Sequence, residues 1–272
     1  MAPVALALAP CLSSPLPARF TISTPSARLP CPGQPNNQAP PPTNPPPTQF
    51  NDGREEALLH HILTHPSYPL MRNNPALILS TMDTFAAQQD FLINIGSDKG
   101  RIVADLIAEH KPKVSVEMGG YVGYSAIWFA DAMRRAASPG TEVKLWSLEY
   151  EGRFARIARE LVELAGLGHV VEVVVGEAGG SAVKLREEGK IREGEVDFLF
   201  LDHVEELYLS DFKIGWLDAK VLRKGALVVA DNVVRPGAPE YRAFVRSQDG
   251  LSSEGVRGLI IPGDMEVGDE AG

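Results

Sequence analysis

The sequence predicts an α/β fold in which a doubly wound, mostly parallel sheet is covered by helices on both faces. Short and nearly continuous apolar runs, such as VDFLFLD at 196–202, are typical of strands that are buried on both sides. Amphipathic segments with helical spacing, such as RFARIARELVELAG at 153–166, alternate with these runs. Strands that alternate with helices favour parallel βαβ units, and ligands of such sheets bind where the strands end.

The elements follow one another from residue 51 onward. Apolar residues at helical spacing predict helices at 54–65, 74–89, 100–110, 125–137, 153–166, 182–189, 207–222 and 239–247. Apolar runs predict strands at 114–118, 143–149, 170–176, 196–202 and 226–231. A last strand signal, at 256–267, is weakened by Pro262 and Gly263.

The overall composition excludes several classes of protein. The 272 residues carry a formal net charge of -9, so nucleic acid and acidic membranes are not expected partners. The longest apolar runs fall well short of the roughly 18 residues that a membrane helix needs. Cysteine occurs only at Cys11 and Cys31, which excludes a zinc-thiolate site or a cysteine nucleophile in the folded part. This usage suits a reducing compartment such as the cytoplasm, and the oligomeric state stays open.

The first 50 residues differ in composition from the rest. They contain 14 of the 22 prolines and no acidic residue, so they cannot bury a core, and we expect a disordered Pro-rich extension. A cleaved presequence is an open alternative, although VALALA is short for a signal peptide and has no cationic residue before it. Residues 51–272 are expected to form a single domain.

The stretch PKVSVEMGGYVGYS at 112–125 joins a predicted strand to a glycine-rich turn. Its pattern, E-x-G-x-x-x-G, differs from the G-x-G-x-x-G of nicotinamide-binding turns, which disfavours a nicotinamide oxidoreductase. The acid before the turn would repel a pyrophosphate but suits a cationic ligand such as S-adenosylmethionine. Glu149, at the end of the next strand, is positioned to accept ribose hydroxyls. The alternative is that both acids are simply solvated.

Oxygen-bearing side chains follow the fourth and fifth predicted strands. Asp202 ends the first of these, and Asp231 and Asn232 end the second. Adjacent strands bring these oxygens to one edge of the sheet, where hard oxygen ligands favour Mg²⁺ over zinc. Two capping residues at strand-to-helix turns would give the same pattern.

Six segments together resemble the catechol O-methyltransferase family. They are MDTFAAQQDFLINIGSDKG, VEMGGYVGYSA, LWSLEYE, VDFLFLDH, YLSD and LRKGALVVADNVVRPGAPEY, and the similarity covers about residues 54–267. The resemblance implies a seven-stranded Rossmann-like methyltransferase sheet, S-adenosylmethionine as methyl donor, Mg²⁺ and a catechol substrate. It also implies that chelation to Mg²⁺ stabilises the phenolate, whose oxygen attacks the sulfonium methyl while the protein positions the reactants.

The resemblance assigns roles to individual positions. The metal ligands fall on Asp202, Asp231 and Asn232, and Asn232 also belongs to the catalytic positions. The cofactor positions are Glu117, Gly119, Tyr121, Ser125, Glu149, Tyr150, Gly176, Ala178, Asp202, His203 and the backbone near Ile95.

The sequence departs from the family where protons are handled. The family has Trp-Lys after Asp-His, with the lysine as general base, whereas this chain has Val204 and Glu205. A gapless alignment places Arg257 where the family has a glutamate that binds the second catechol hydroxyl. The two changes form a possible exchange of charge across the pocket, or else ordinary surface substitutions. A homologue that binds the cofactor without turning over catechol is therefore the alternative function.

Smaller departures surround these positions. The adenine loop reads Gly-Glu-Ala-Gly at 176–179 and lacks two hydrogen-bonding side chains, and Phe91 matches a tryptophan of the substrate wall, while Pro236 is kept. The HHILTH segment suggests a metal pair at His61 and His65, but it lacks the glutamate of a zinc-protease helix and is interpreted as a helix surface.

Overall fold

The computed structural model describes residues 2–3, 6–7, 50–248, 251–253 and 257–258, and these residues confirm the predicted α/β fold. Five strands of five to nine residues form a parallel sheet. In chain order they are β1 Val114–Met118, β2 Lys144–Glu149, β3 Val171–Val175, β4 Val196–Leu201 and β5 Leu222–Ala230. Their spatial order is β3-β2-β1-β4-β5, so the strand order reverses between β1 and β4. Ligand sites of doubly wound folds lie at such a reversal.

The prediction of seven full strands is wrong for the described residues. Among the described residues, the sheet continues beyond β5 in the two-residue segments Leu6–Ala7 and Ser252–Ser253, which pair antiparallel. Segments of this length make one or two ladder contacts and are edge pairings rather than full strands. Most of the predicted terminal strand, and most of the Pro-rich extension, lies outside the described residues.

The helices agree with the predicted ones over most of the chain. They are α1 Arg54–Thr64, α2 Tyr68–Met71, α3 Pro75–Gln88, α4 Gly96–His110, α5 Tyr124–Ala136, α6 Gly152–Leu164, α7 Ala178–Glu187, α8 Tyr208–Lys213 and α9 Pro239–Arg246. The start of α3 shows a local cause, since the Asn74 side chain accepts the amide hydrogen of Leu77 at 3.2 Å and Pro75 follows as the first helical residue. Among the described helices, none combines the length and apolar content that crossing a membrane requires.

The prediction of a single helix at 207–222 is wrong. The segment divides into a 3₁₀ turn at Glu205–Leu207, the short helix α8 and a π-helical turn at Ile214–Asp218, and β5 then begins at Leu222. Helical periodicity does not distinguish these turn types, because all of them repeat apolar residues about every three to five positions.

The sheet separates two apolar layers. Phe198 and Phe200 of β4 face the layer of α1 and α3–α6, while Leu199 and Leu201 face the layer of α7–α9. Phe129 of α5 meets Phe200 edge to face, with ring centroids 5.0 Å apart. Alternate residues of each strand therefore secure opposite faces, which fixes the register of the sheet.

That register aligns the carboxyl ends of the strands. Met118 lies opposite both Leu148 and Leu201, and Leu201 lies opposite Ala230. The segments that leave β1, β2, β4 and β5 consequently start side by side at one edge of the sheet.

Candidate active site

The glycine turn after β1 brings two loops into close backbone contact. Gly119 has φ +96°, and a Cβ added there would collide with the carbonyl oxygen of Asp202. The amide hydrogen of Asp202 in turn bonds to the carbonyl of Met118 at 2.9 Å. Only glycine combines this conformation with this approach, so the turn holds the ends of β1 and β4 together.

Glu117 is a fully buried acid beside this turn. Its Oε1 accepts the hydroxyl of Ser147 at 2.6 Å, and Ser125, buried at the start of α5, lies close enough to act on the pKa of the carboxyl. Its Oε2 is buried and has no hydrogen-bond partner among the described residues. Burial raises the pKa of Glu117 to about 7. An unpaired buried carboxylate oxygen is costly, so this atom is suited to receive a donor from a ligand.

Glu149 is held rigidly at the end of β2. One carboxylate oxygen accepts the amide hydrogen of Tyr121 at 2.7 Å and the other accepts that of Glu151 at 2.8 Å. Burial raises the pKa of Glu149. Each oxygen keeps further lone pairs, so the carboxylate can accept ligand hydroxyls as well. The neighbouring Tyr150 lies at the same edge, but its side chain is 74% exposed.

A third buried acid, Glu55 of α1, was missed by the sequence reasoning. Its Oε1 accepts the hydroxyl of Tyr121 at 2.7 Å, and the residue has no exposed surface. Burial, followed by the hydrogen bond to Glu55, raises the pKa of Tyr121. The glycine turn is therefore tied to α1 through Tyr121 and to β2 through Glu149. The acidic run in REEALL gave no signal, because acids in a first helical turn are usually exposed.

His203 lies where the loop after β4 meets α8. Its Nε2 pairs with Oδ2 of Asp211 at 3.0 Å, and its ring stacks on Tyr208 with centroids 4.9 Å apart. Its Nδ1 is buried without a hydrogen-bond partner among the described residues. At the nearby start of α7, a Cβ on Gly179 would come within 2.6 Å of Asp211. Gly176 and Ala178, predicted to line the adenine pocket, lie directly after β3 and at the first residue of α7, and the amide hydrogen of Gly176 bonds to the carbonyl of Glu149 at 3.0 Å.

The predicted metal ligands come together at the ends of β4 and β5. Asp231 is 1% exposed, and its amide hydrogen bonds to the carbonyl of Leu201 at 2.9 Å. Burial and the nearby Asp231 carboxylate hold the pKa of Asp202 well above its usual range. Asn232 adopts φ +56°, a left-handed conformation that asparagine tolerates, and this turns the chain sharply after β5.

Lys99 of α4 reaches this same cluster, and the sequence reasoning missed it. Its ammonium lies 2.5 Å from Oδ2 of Asp231 and 3.5 Å from Oδ1 of Asn232. The residue is only 8% exposed. The SDKG motif was visible in the sequence, but a lysine in a helix is usually solvated, so nothing local marked it as buried.

The oxygen donors of this cluster fit a hard divalent cation. Two carboxylates and one side-chain amide are ligands that Mg²⁺ accepts, and the repulsion felt by Asp202 is what a cation relieves. Within the described ranges no three His, Cys, Asp or Glu side chains form a group that could hold a metal ion.

The remaining predicted positions lie around the cluster. Ile95 is buried directly before α4, and Glu205 is half-buried at the start of the 3₁₀ turn, near enough for its charge to act on Asp202. Phe91 is 39% exposed, and Arg54 donates to its carbonyl at 2.6 Å. The backbone of Arg257 belongs to a two-residue strand, but its side chain lies outside what is described, so the proposed exchange of charge with Glu205 stays a prediction.

Known proteins are similar to this chain in sequence and in fold. The O-methyltransferase family profile matches residues 74–245. A probable O-methyltransferase of Mycobacterium tuberculosis, Rv1703c, is 36% identical over 206 residues, which cover 75% of this chain and 83% of that protein. The catechol O-methyltransferase of Bos taurus is 32% identical over 197 residues, which cover 72% of this chain and 68% of that protein.

A solved structure agrees with the fold. O-methyltransferase TomG of Streptomyces achromogenes, involved in tomaymycin synthesis and solved in complex with SAM, superposes with a TM-score of 0.53 at 25% identity, covering 63% of this chain and 78% of that one. The profile match over more than half of the chain, with relatives at 36% and 32% identity over most of both sequences, shows that this chain belongs to the O-methyltransferase family.

Proposed function

We propose that this chain is a magnesium-dependent methyltransferase that moves the methyl group of S-adenosylmethionine to a hydroxyl of a catechol. One observation carries the proposal: the oxygen cluster of Asp202, Asp231 and Asn232 shares a sheet edge with the unpaired buried carboxylate oxygen of Glu117. The first suits a metal that chelates two adjacent hydroxyls, and the second suits a cationic cofactor. The name of the Bos taurus relative supports the substrate class.

Three side chains would hold the methyl donor. The Oε2 of Glu117 would accept hydrogen bonds from the ammonium of the methionine moiety, since it is buried and unpaired among the described residues. Glu149 would accept the ribose hydroxyls, because two backbone amides already fix its orientation. His203, anchored by Asp211, would border the adenine with its unpaired Nδ1.

The protein would position the reactants for methyl transfer, supply charged side chains around them and exclude water. When bound, S-adenosylmethionine supplies an electrophilic methyl group and Mg²⁺ favours the ionised form of a catechol hydroxyl. Asp202, Asp231 and Asn232 would hold the metal, and Asn232 would also lie against the substrate. Glu205 is the candidate acceptor for the hydroxyl proton, directly or through water. Glu117 and Asp231 are buried, which would limit the water that competes for their charges.

The decisive experiment measures transfer of labelled methyl from S-adenosylmethionine to catechol, with Mg²⁺ or with a chelator. Wild-type protein should turn over only with Mg²⁺. Asp231→Ala should lose this activity while still binding S-adenosylmethionine in calorimetry, whereas Asp218→Ala, an exposed aspartate, should behave as wild type. Normal methylation by Asp231→Ala in chelator would reject the metal site.

A second candidate is a homologue that binds the cofactor with little turnover of catechol. The observation that favours it is the negative charge of Glu205 beside Asp202, which would oppose a catecholate. Under this alternative, Glu205→Lys should raise activity at pH 7 more than at pH 9, because general-base catalysis is typically worth about 10²–10⁴-fold. The matched control is Glu206→Lys, the exposed neighbour. Fast turnover by wild type, together with a slower lysine variant, would instead make Glu205 a working base.

The setting of the enzyme is part of the proposal. Residues 51–272 would form the methyltransferase domain and residues 1–50 a Pro-rich extension. A small-molecule substrate, with no nucleic-acid or membrane partner, suits the net charge of -9. A cytoplasmic location suits a domain without cysteine after residue 31.

A further inference from the structure

We propose that the ammonium of Lys99 and a divalent cation are alternative counter-ions of Asp231, so that Lys99 sets how tightly this edge binds metal. The inference rests on the proposed metal site and adds a residue to it. Lys99 enters as a positioning and electrostatic residue that acts through Asp231, with no contact to substrate or cofactor assigned to it.

Each carboxylate oxygen of Asp231 already accepts one hydrogen bond, and the one on Oδ2 comes from a cation. Its Oδ1 already accepts the amide hydrogen of Asn232 at 2.7 Å. Its Oδ2 accepts from Lys99 at 2.5 Å, and the same ammonium lies 3.5 Å from Oδ1 of Asn232. Lys99 therefore contacts the two side chains that would supply metal ligands from the end of β5.

Distance makes the two cations compete. Mg²⁺ binds oxygen at about 2.0–2.1 Å, so a metal on Oδ2 would lie at most about 4.6 Å from the Lys99 ammonium in its present position. Like charges this close repel strongly where water is scarce, and Lys99 is 8% and Asp231 1% exposed. The lysine must therefore swing away or share the oxygen when a metal binds, and either response weakens metal affinity.

Burial explains why a lysine is useful at this point. A buried carboxylate without a counter-ion is destabilising, and Asp202 adds a second carboxyl nearby. Lys99 lets the loops after β4 and β5 fold around these acids before any metal arrives. The neighbouring residue Gly100 packs its backbone on Trp128 of α5, which fixes the part of α4 that carries the lysine.

The test measures binding of Mn²⁺, a probe for oxygen-ligand sites, by calorimetry on the full chain at fixed pH and ionic strength. Lys99→Met removes the charge but keeps the apolar stem, and it should tighten Mn²⁺ binding by at least tenfold. Arg101→Met removes one positive charge from the same helix at a side chain that is 72% exposed, and it should stay within twofold of wild type. Lys99→Arg keeps the charge and should not bind Mn²⁺ more tightly. Equal or weaker Mn²⁺ binding by Lys99→Met overturns the inference.

Thermal unfolding supplies a second readout. In chelator, Lys99→Met should melt at a lower temperature than wild type, and Mn²⁺ should raise its melting temperature more than that of wild type. A variant that folds only with Mn²⁺ also supports the inference. A variant that melts as wild type in chelator and gains no more from Mn²⁺ contradicts it.

If Lys99→Met does not fold under any condition, the inference can still be tested on wild-type protein. NMR spectra of protein with ¹³C at the lysine side-chain methylenes would follow Lys99 directly. Its resonance is assigned by its loss in Lys99→Arg, and saturating Mg²⁺ should shift it. Metal binding that leaves this resonance unmoved overturns the inference.

The outcomes separate this inference from the proposed function. Metal binding by Lys99→Met but not by wild type supports the role of Lys99 and rejects Mg²⁺ dependence of the natural protein. Metal binding by wild type that Lys99→Met does not exceed keeps the proposed function and rejects the role of Lys99. Absence of metal binding in both proteins rejects both.

Discussion

Glu117 should make the protein less stable as the pH rises through neutrality, and replacing it by glutamine should remove this loss. The side chain has no exposed surface, and burial raises its pKa from 4.5 to about 7. A carboxyl with a raised pKa binds its proton more tightly in the folded protein than in the unfolded chain. Its stabilising effect is therefore complete below pH 4.5 and is lost as the pH rises through about 7.

The size of the effect follows from the pKa. A tenfold change in an equilibrium constant corresponds to about 1.4 kcal/mol, so the rise to about 7 amounts to about 3 kcal/mol in total. Between pH 5 and pH 8 the free energy of unfolding of Glu117→Gln, minus that of wild type, should increase by about 2 to 3 kcal/mol. Glu117 is one of the charges that raise the pKa of Asp202, so the difference also includes the change that Glu117→Gln makes to the titration of Asp202.

Urea unfolding at half-unit steps from pH 5 to pH 8.5 would measure the difference. The matched control is Glu109→Gln, which makes the same change at an exposed acid on α4. Affinity for S-adenosylmethionine should rise from pH 6 to pH 8 in wild type, as Glu117 ionises, and stay flat in Glu117→Gln. Parallel stability profiles of wild type and Glu117→Gln would refute the reasoning, because the buried carboxyl would then not titrate near pH 7.

Three further predictions concern the support of the site. Glu149→Ala should weaken S-adenosylmethionine binding by about 1–3 kcal/mol, the cost of losing a charged acceptor, and unchanged affinity in calorimetry would remove Glu149 from the site. Tyr121→Phe removes the hydroxyl that donates to buried Glu55 and should lower the free energy of unfolding by about 1–3 kcal/mol. The double variant Tyr121→Phe/Glu55→Gln should lower the free energy of unfolding by less than the sum of the two single changes. A chain that begins at Asn51 loses the pairing of Leu6–Ala7 with β5 and with Ser252–Ser253, but a two-residue pairing contributes little, so it should melt and methylate as the full chain does; a melting temperature several degrees lower would show that this pairing stabilises the domain.

The fold was predictable because its strands are buried on both faces. All six residues of VDFLFL in β4 are buried, so the apolar run alone identifies a central parallel strand. The start of β5 was not predictable in this way. The pairing jumps from Val196 opposite Leu222 to Phe198 opposite Leu227, so β5 carries extra residues that only the partner strand reveals.

The site residues at strand ends were predictable from the sequence, whereas the helix residues whose partners are far away in the chain were not. Glu149 ends a strand and Asp202 and Asp231 directly follow strands, so topology alone collects them at one edge. Lys99 and Glu55 lie in helices, and their partners are 132 and 66 residues away in the chain. Neither residue type indicates burial, since a lysine or glutamate in a helix is solvated unless a partner across the fold demands otherwise.

The charge of the edge narrows the ligand class further than the fold does. Glu117, Glu149, Asp202 and Asp231 lie at the same edge of the sheet, and burial raises the pKa of the first three. Lys99 contacts only the last of them in the described structure. Ionised acids at this density need further positive charge, which an anionic cofactor such as a dinucleotide would not bring. A cationic methyl donor at Glu117 and a divalent metal at Asp202 and Asp231 would each bring positive charge to a different part of the edge.

If both bind, each should strengthen the binding of the other by relieving repulsion between these carboxylates. Tighter S-adenosylmethionine binding in Mg²⁺ than in chelator, with the gain lost in Asp231→Ala, would show this coupling, whereas equal affinities would show that the two parts of the edge are electrostatically independent.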